Sequence, residues 1–341
     1  METIAIGTSG ISASRIALGT WAMGGWMWGG QSDEDQSIRT IESAIDRGIT
    51  LIDTAPVYGF GRSEEIVGKA LKGRRDDVVL ATKAHGTMGQ DVNMAGNSRR
   101  WIVREVENSL RRLQTDYIDL YQMHRPDPDT DIDETLSALS DLVRAGKVRA
   151  IGCSTFPADL IVEAQWAADR RGHHRFRSEQ PRYSIFSRTI EADVLPVAER
   201  HGMGVLTYGP LSSGWLSGRA DPTRGHRAEG FGARNFDLAI PGNRAKLDAV
   251  GRLTELSAQA GIPLAHLAIG FVRAHPAVTS VIIGPRTPDQ LEHLLAGAQV
   301  ELDGDILDRI DEIVAPGTEL NPADNAFVTP PAIEDKRRRR R

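Results

Sequence analysis

Short apolar runs rich in β-branched residues alternate along this chain with longer stretches in which apolar residues recur every three or four positions. One helical stripe follows a predicted N-cap at Ser98 and consists of Ile102, Val106, Leu110 and Leu113. The runs with the length and composition of buried strands are 17–23, 51–55, 78–84, 118–124, 148–154, 177–183, 204–209 and 278–284. Strands that alternate with helices predict parallel pairing through helical crossovers.

Eight strand and helix units, with no change of composition between the halves, favour one closed (β/α)8 TIM barrel over a doubly wound sheet with a second domain. Residues 3–16 predict a hairpin that plugs the barrel floor. Residues 212–242 predict a long insertion after the seventh strand, and 303–315 predict an extra C-terminal helix. We therefore expect a barrel domain over 1–315 and a disordered tail, Pro-rich and then Arg-rich, over 316–341.

Composition and charge narrow the function classes. Of the 341 residues, 40% are hydrophobic and 26% are charged, as is typical of globular proteins. The net charge of −5 includes the six basic residues from Lys336 to Arg341. The rest of the chain has 35 Lys and Arg against 46 Asp and Glu, a net charge of −11. An acidic body argues against nucleic acid as the principal partner.

The sequence also indicates where the protein works. It contains neither the roughly 20-residue apolar run of a membrane helix nor the basic and apolar regions of a signal peptide. We therefore expect no membrane association and a cytoplasmic location. Cys153 is the single cysteine, which excludes an internal disulfide and a multi-thiolate metal site, and we expect no metal.

Titratable side chains stand at the ends of three successive strand runs. Asp53 lies at the end of the second run and is followed, in a loop with Pro and Gly, by Tyr58, while Lys83 and His124 end the next two runs. TIM barrels carry their reacting groups at the C-terminal ends of their strands. These four side chains are therefore expected to meet at one end of the barrel.

Together the four residues suit carbonyl reduction. Tyr58 can donate a proton to the developing alkoxide, and the Lys83 cation is expected to lower the phenol pKa from its ordinary value of about 10. Asp53 would pair with Lys83, and His124 would orient the carbonyl oxygen. No side chain donates hydride, so this reaction requires a nicotinamide cofactor.

Several segments resemble the aldo-keto reductase family. LIDTAPVYGFGRSEEIVGKAL, VLATKA and IDLYQMH are similar to its signature segments, and the resemblance makes Asp53, Tyr58, Lys83 and His124 the catalytic tetrad. The likeness extends over residues 3–315, and GTWAMGGWMWGG is similar to a bacterial subgroup related to inositol-catabolism and general-stress reductases. This resemblance implies reversible, NADP(H)-dependent reduction of small aldehydes and ketones to alcohols.

The resemblance also implies a cofactor site. Ser154 and Gln180 would bind the nicotinamide carboxamide, Tyr208 would stack on the ring, and Arg286 would meet a 2′-phosphate. The full set of implied cofactor contacts is Gly19, Thr20, Trp21, Asp53, Ser154, Thr155, Gln180, Tyr208, Gly209, Pro210, Leu211, Ser213, Gly284, Arg286 and Gln290.

The chain departs from the family pattern at two places in this site. Thr155 stands where the family often has Asn, and His293 with Leu294 stands where a Glu-Asn pair is usual. An imidazole in place of a carboxylate leaves the phosphate end less negative, which favours NADP(H). Trp26 and Trp28 either line an apolar substrate pocket or pack in the core.

Two other functions fit the same residues. A Lys at a strand end can form a Schiff base, as in aldolases, with a Tyr as the acid, and borohydride trapping would distinguish this chemistry from reduction. The family resemblance also allows a regulatory or auxiliary protein that binds NADPH and turns over slowly, with the basic tail as a docking element.

Overall fold

A computed structural model of the protein describes residues 1–25, 33–218 and 230–324, except for the side chains of 230–232. Its strands are β1 (Thr3–Ala5), β2 (Ser12–Ser14), β3 (Ile16–Gly19), β4 (Leu51–Asp53), β5 (Val79–Ala84), β6 (Ile118–Met123), β7 (Val148–Ser154), β8 (Ser178–Gln180), β9 (Gly204–Tyr208) and β10 (Val278–Ile283). Within the described residues, β3 to β10 pair in parallel in chain order, and β10 pairs with β3, so the sheet closes. The predicted TIM barrel is confirmed.

Helices surround the barrel. They are α1 (Glu34–Asp46), α2 (Arg62–Ala70), α3 (Arg99–Leu113), α4 (Ile132–Arg144), α5 (Ala158–Arg171), α6 (Val194–Arg200), α7 (Pro241–Ala260), α8 (Leu264–Ala274), α9 (Pro288–Gly297) and α10 (Gly304–Ile313). α10 is the predicted extra helix. α7 is a second additional helix, whose first two residues fall within the predicted insertion at 212–242. It packs against α10, where Arg252 donates to the Glu312 carbonyl at 3.1 Å.

Two strands are shorter than predicted. The run at 17–23 yields a strand only as far as Gly19, and Trp21–Met23 form a turn of 3₁₀ helix. The run at 177–183 yields a strand only as far as Gln180, because Pro181 has no N–H to extend the ladder. The other predicted strands end within two residues of the observed ones.

The β1–β2 hairpin lies against the lower part of the barrel interior. Ile6 and Ala13 pack with the inward-facing apolar residues of the strands, among them Leu51, Leu120 and Leu206. Gly7 allows this approach. Its φ is +51°, and a Cβ there would lie 2.4 Å from the Gly202 carbonyl oxygen. The apolar floor leaves the opposite end of the barrel interior to polar side chains.

Part of the predicted tail is ordered against the barrel. The sequence predicts disorder from residue 316 onward, yet Asp324 accepts hydrogen bonds from Arg182 and Lys246, and the Leu320 amide donates to the Phe186 carbonyl at 3.1 Å. The expectation of disorder is therefore wrong for residues 316–324, because their partners lie far away in the sequence. Residues 325–341, including the basic run, lie outside the described residues.

The described parts of the insertion after β9, which lie on either side of residues 219–229 in the sequence, pack against each other. Trp215 is buried and stacks on Phe236 with ring centroids 5.2 Å apart, and its Nε1 donates to the Asn235 carbonyl at 3.1 Å. Residues 219–229 of the predicted 212–242 insertion lie outside the described residues. In the described ranges, no helix is both long and apolar enough to cross a membrane.

Candidate active site

Lys83 lies at the centre of the polar end of the barrel, with its side chain fully buried. Its Nζ donates to Asp53 Oδ2 at 2.6 Å, to the Thr54 carbonyl at 2.9 Å and to the Tyr58 hydroxyl at 3.3 Å. An ammonium group has three N–H bonds and no acceptor, so all three are used. The Tyr58 oxygen therefore accepts from Lys83, and its own proton is left to donate elsewhere.

His124 lies beside the phenol. Its ring is 5.8 Å from that of Tyr58, edge to face at 80°, and its backbone N–H donates to the Ala84 carbonyl at 2.8 Å. Burial lowers the pKa of His124 well below 6.5, and the charges of Arg125 and Lys83 act in the same direction. The imidazole is thus neutral at pH 7. The structure brings the four predicted tetrad residues together.

Two carboxamides complete the shell of Asp53. Gln180 Nε2 donates to Asp53 Oδ1 at 2.8 Å, and Gln122 Nε2 approaches the same oxygen at 3.4 Å. Gln122 was not anticipated. Strand periodicity could have found it, since it shares the inner face of β6 with Leu120 and precedes His124 by two residues. Both carboxylate oxygens of Asp53 are therefore hydrogen-bonded, and the residue is only 3% exposed.

The pKa of Tyr58 moves opposite to the prediction. Burial is the largest influence and raises the pKa of Tyr58 above 10, while the Lys83 cation lowers it and Asp53 raises it further. The expectation of a lowered pKa is wrong for the protein alone, because burial disfavours the phenolate more than Lys83 favours it. Tyr58 consequently remains protonated at neutral pH.

Glycines fix the loop that carries Tyr58. Gly59 has a φ of +67°, and a Cβ at this position would lie 2.1 Å from the Gly24 carbonyl oxygen. The loop after β4 thus packs directly on the backbone that follows β3. Trp21, on that second loop, is 41% exposed and has its ring 6.3 Å from the Tyr58 ring. Trp21 therefore lies on the rim beside the phenol.

Buried hydroxyls join the same two strands to α2. The Thr20 hydroxyl donates to the Asp53 carbonyl at 3.1 Å and lies 2.7 Å from the Ser63 hydroxyl, which is 3.0 Å from that of Thr54. Ser63 and Thr54 carry no sequence signal of their own and were not anticipated. The three hydroxyls fix the ends of β3 and β4 relative to α2.

The residues predicted to bind the nicotinamide lie at the ends of neighbouring strands. Ser154, Gln180 and Tyr208 are the last residues of β7, β8 and β9, and the Ser154 hydroxyl donates to the Gln180 carbonyl at 2.8 Å. Gly209, Pro210 and Leu211 follow Tyr208 directly. These segments, with Gly19 at the end of β3, therefore surround the end of the barrel that holds the tetrad.

Strained backbone marks the same rim. Thr155, Ser212 and Ser213 have φ values of +55°, +48° and +60°. Such conformations cost non-glycine residues about 1–3 kcal/mol each and cluster at functional sites. The strain therefore supports a binding role for the loops after β7 and β9.

Arg286 and Gln290 lie at the start of α9. The Arg286 amide donates to Gln290 Oε1 at 3.0 Å, and the Thr287 hydroxyl accepts from the Gln290 amide at 3.2 Å. Gly284 precedes them, directly after β10. A helix N-terminus next to a guanidinium favours an anion. Asp289 in the first turn opposes this preference.

A second histidine stands near the tetrad. His85 has a φ of +128°, and its Nδ1 lies 3.0 Å from Asn97 Oδ1, while Asn97 Nδ2 donates to the Arg125 carbonyl at 2.9 Å. Burial lowers the pKa of His85. His85 was not anticipated, although it follows Lys83 by two residues. Trp26 and Trp28 lie outside the described residues.

Comparison with known proteins agrees with this geometry. The model of the aldo/keto reductase family matches residues 15–315. The chain is 43% identical to "Aldo-keto reductase YhdN" of Bacillus subtilis, over 98% of this chain and 100% of that one. It is 38% identical to "Uncharacterized oxidoreductase YrpG" of the same organism, over 95% and 99% of the two chains. It is 35% identical to an Arabidopsis thaliana "Probable voltage-gated potassium channel subunit beta", over 83% and 89%. The chain therefore belongs to the aldo/keto reductase family.

Proposed function

We propose that this protein is an NADP(H)-dependent oxidoreductase that reversibly reduces small aldehydes and ketones, with Tyr58 as the general acid. One observation carries the proposal. Lys83 donates to both Asp53 and Tyr58, so the Tyr58 oxygen is an acceptor and its own proton is free for a carbonyl oxygen. Family membership supports nicotinamide-dependent carbonyl reduction in general.

The four residues divide the reaction between them. A neutral His124 can donate an N–H to the carbonyl oxygen and hold it near the phenol. A nicotinamide held among Ser154, Gln180 and Tyr208 would supply the hydride for the carbonyl carbon. As the oxygen becomes negative it takes the Tyr58 proton, which completes the alcohol. The phenolate that remains is then stabilised by the Lys83 cation 3.3 Å away. In the reverse direction this phenolate takes the proton of the alcohol.

The preference for NADP(H) follows from the start of α9. The Arg286 guanidinium and the positive end of the α9 dipole both favour a 2′-phosphate, whereas the carboxylate of Asp289 repels it. Arg286 must therefore supply much of the discrimination between the two cofactors. The contacts of Thr20, Ser154, Gln180, Tyr208 and Ser213 with a cofactor are part of this proposal.

Substrate and location belong to the same proposal. We assign Trp26 and Trp28 to an apolar pocket for the carbonyl substrate, on the basis of their position in the sequence between β3 and α1. A cytoplasmic location is supported by the single cysteine, Cys153, which is buried and forms no disulfide.

The structure disfavours a Schiff-base mechanism. Burial acts to lower the pKa of Lys83, but Asp53 and Tyr58 together outweigh it, and the pKa lies above 10.5. A protonated amine has no lone pair with which to attack a carbonyl. The auxiliary function remains the second candidate, since the Arabidopsis thaliana relative is named as a probable voltage-gated potassium channel subunit beta.

The test is NADPH oxidation in the presence of a panel of aldehydes, ketones, sugars and cyclitols, with the reverse reaction measured on the matching alcohols. The proposal predicts saturable, carbonyl-dependent oxidation and an alcohol product. Tight NADPH binding without turnover on any carbonyl would favour the auxiliary function. Covalent trapping of substrate on Lys83 by borohydride would favour the aldolase.

A further inference from the structure

Glu179 is a buried carboxylate that the reaction described above does not use. It lies in β8 between Ser178 and Gln180, and its side chain is 0% exposed. Successive side chains in a strand point to opposite faces. Because Gln180 reaches inward to Asp53, Glu179 points outward, behind the loop that follows β7. Among the described residues, its Oε2 has no hydrogen-bond partner.

The Glu179 carboxylate holds the backbone of that loop. Its Oε1 accepts from the Phe156 amide at 3.2 Å, and the amides of Phe156 and Thr155 both favour its ionised form. On the other side, the Thr155 amide donates to the Gln180 carbonyl at 3.2 Å. The left-handed φ of Thr155 is unfavourable for a β-branched residue, so these bonds are needed to maintain it.

Few charges surround Glu179. Burial raises its pKa to about 7, against the opposing influences of the Cys153 thiol, of the Phe156 and Thr155 amides and, last, of Arg125, which follows β6. The neighbouring titratable group on β7 is the Cys153 thiol, whose pKa burial and Glu179 raise well above 9, so that it stays neutral. Glu179 is thus the group in this cluster whose charge changes near neutral pH.

We propose that ionised Glu179 is a positioning residue that holds the loop of Ser154 and Thr155 in the form that binds the nicotinamide carboxamide. Loss of its charge weakens the hydrogen bond from the Phe156 amide to Oε1, which relaxes the loop and lowers cofactor affinity. The inference rests on the proposed function, since it assigns the loop to the cofactor.

The test is the dissociation constant of NADPH, measured by fluorescence titration from pH 6 to pH 8, for the wild type and Glu179→Gln. The amide keeps the shape and the acceptor but cannot ionise. The measured quantity is the dissociation constant of the variant divided by that of the wild type at the same pH. The titration of the 2′-phosphate affects both constants alike and cancels in this ratio. We expect this ratio to be near one at pH 6 and the wild type to bind about fivefold tighter at pH 8, because hydrogen bonds to ionised groups are stronger.

The control variant is Glu105→Gln, a fully buried carboxylate on α3 that pairs with Arg112, away from this loop. It should keep the wild-type pH profile. A Glu179→Gln profile parallel to that of the wild type would overturn the inference and leave the proposed function intact. Failure of the wild type to bind NADPH or NADH at any pH would instead overturn the proposed function.

A second measurement keeps the inference testable if Glu179→Gln does not fold. NADH lacks the 2′-phosphate, so its binding to the wild type should weaken between pH 8 and pH 6 with a midpoint near pH 7. NADH affinity that is constant over this range would contradict the role of Glu179.

Discussion

Gln180 donates its Nε2 hydrogen to Asp53 Oδ1 at 2.8 Å, and this bond connects the predicted carboxamide site to the predicted proton donor. From Asp53 the connection continues through Lys83 to Tyr58. On the other side, the Gln180 carbonyl accepts from the Ser154 hydroxyl and the Thr155 amide. A change in the loop after β7 can therefore reach the acid through a continuous chain of hydrogen bonds.

Tyr58→Phe should lower kcat by a factor of about 10² to 10⁴, because it removes the proton donor. The affinity for NADPH should stay nearly constant, since the phenol is not a cofactor contact in this proposal. Tyr121→Phe is the matched control. Tyr121 is a fully buried tyrosine on the outer face of β6, and its hydroxyl has no hydrogen-bond partner among the described residues. Near-wild-type turnover by Tyr58→Phe would assign the acid to His124 or to water.

Lys83→Met should abolish turnover and also destabilise the protein, by about 3–5 kcal/mol, because a buried carboxylate loses its cation. Gln122 and Gln180 still donate to Asp53 and place the loss toward the lower end of that range. The double variant Asp53→Asn with Lys83→Met should recover stability but not activity. Denaturant unfolding of the two single variants and the double variant measures this coupling. Simply additive losses would show that the pair does not act as a unit.

The eight strands and the tetrad could be predicted because each leaves a local pattern. A buried run that ends in a titratable residue identifies both the strand and its functional end, as for Lys83 at the end of β5. Strand periodicity places Gln122 on the inner face of β6 but does not reveal what it contacts, and the hydroxyl of Ser63 leaves no pattern at all. Their importance depends on contacts with Asp53 and Thr20, more than 40 residues away in the chain.

Electrostatics was the least predictable property. The proximity of Lys83 and Tyr58 was inferred correctly, but the net direction of the Tyr58 pKa depends on how far burial outweighs that cation. How completely a polar side chain at the end of a strand is buried depends on the whole fold, and the local apolar pattern does not give it. For the same reason the sequence does not single out Glu179, which resembles an ordinary strand residue and whose pKa is raised by its burial in the fold.

Asp324→Asn should destabilise the protein by about 3 kcal/mol, because it leaves Arg182 and Lys246 without their carboxylate.

Removal of Lys336 to Arg341 should leave the melting temperature and the kinetics unchanged, since a run of like charges has no apolar surface with which to pack. Thermal unfolding of both variants distinguishes the ordered segment 316–324 from the basic run. A stability loss on removal of the basic run would show that it contacts the acidic body.

Arg286→Ala should erase most of the preference for NADPH. A charge-assisted hydrogen bond is worth about 1.5–3 kcal/mol, or roughly one to two powers of ten in affinity, so the wild type should bind NADPH at least about tenfold tighter than NADH. The variant should lose affinity for NADPH alone. Fluorescence titration of both proteins with both cofactors provides the measurement. Equal weakening of the two cofactors would instead indicate a contact with the shared adenosine.

Glu179→Gln should stabilise the protein at pH 8 even though it weakens cofactor binding. The pKa of Glu179 is raised from 4.5 to about 7 by burial, so the folded state holds this proton more tightly than the unfolded state does. Its contribution to stability is therefore fully present below pH 4.5 and is lost as the pH rises toward 7. A shift of this size corresponds to a loss on the order of 3 kcal/mol. The neutral amide avoids that loss, so the variant should unfold at a higher temperature than the wild type at pH 8, and the difference between the two melting temperatures should shrink toward pH 5.

Glu105→Gln is the control. It should lower the melting temperature at pH 8, because Glu105 is paired with Arg112. A Glu179→Gln variant that is less stable than the wild type at pH 8 would contradict this prediction, because it would show that the ionised carboxylate stabilises the fold.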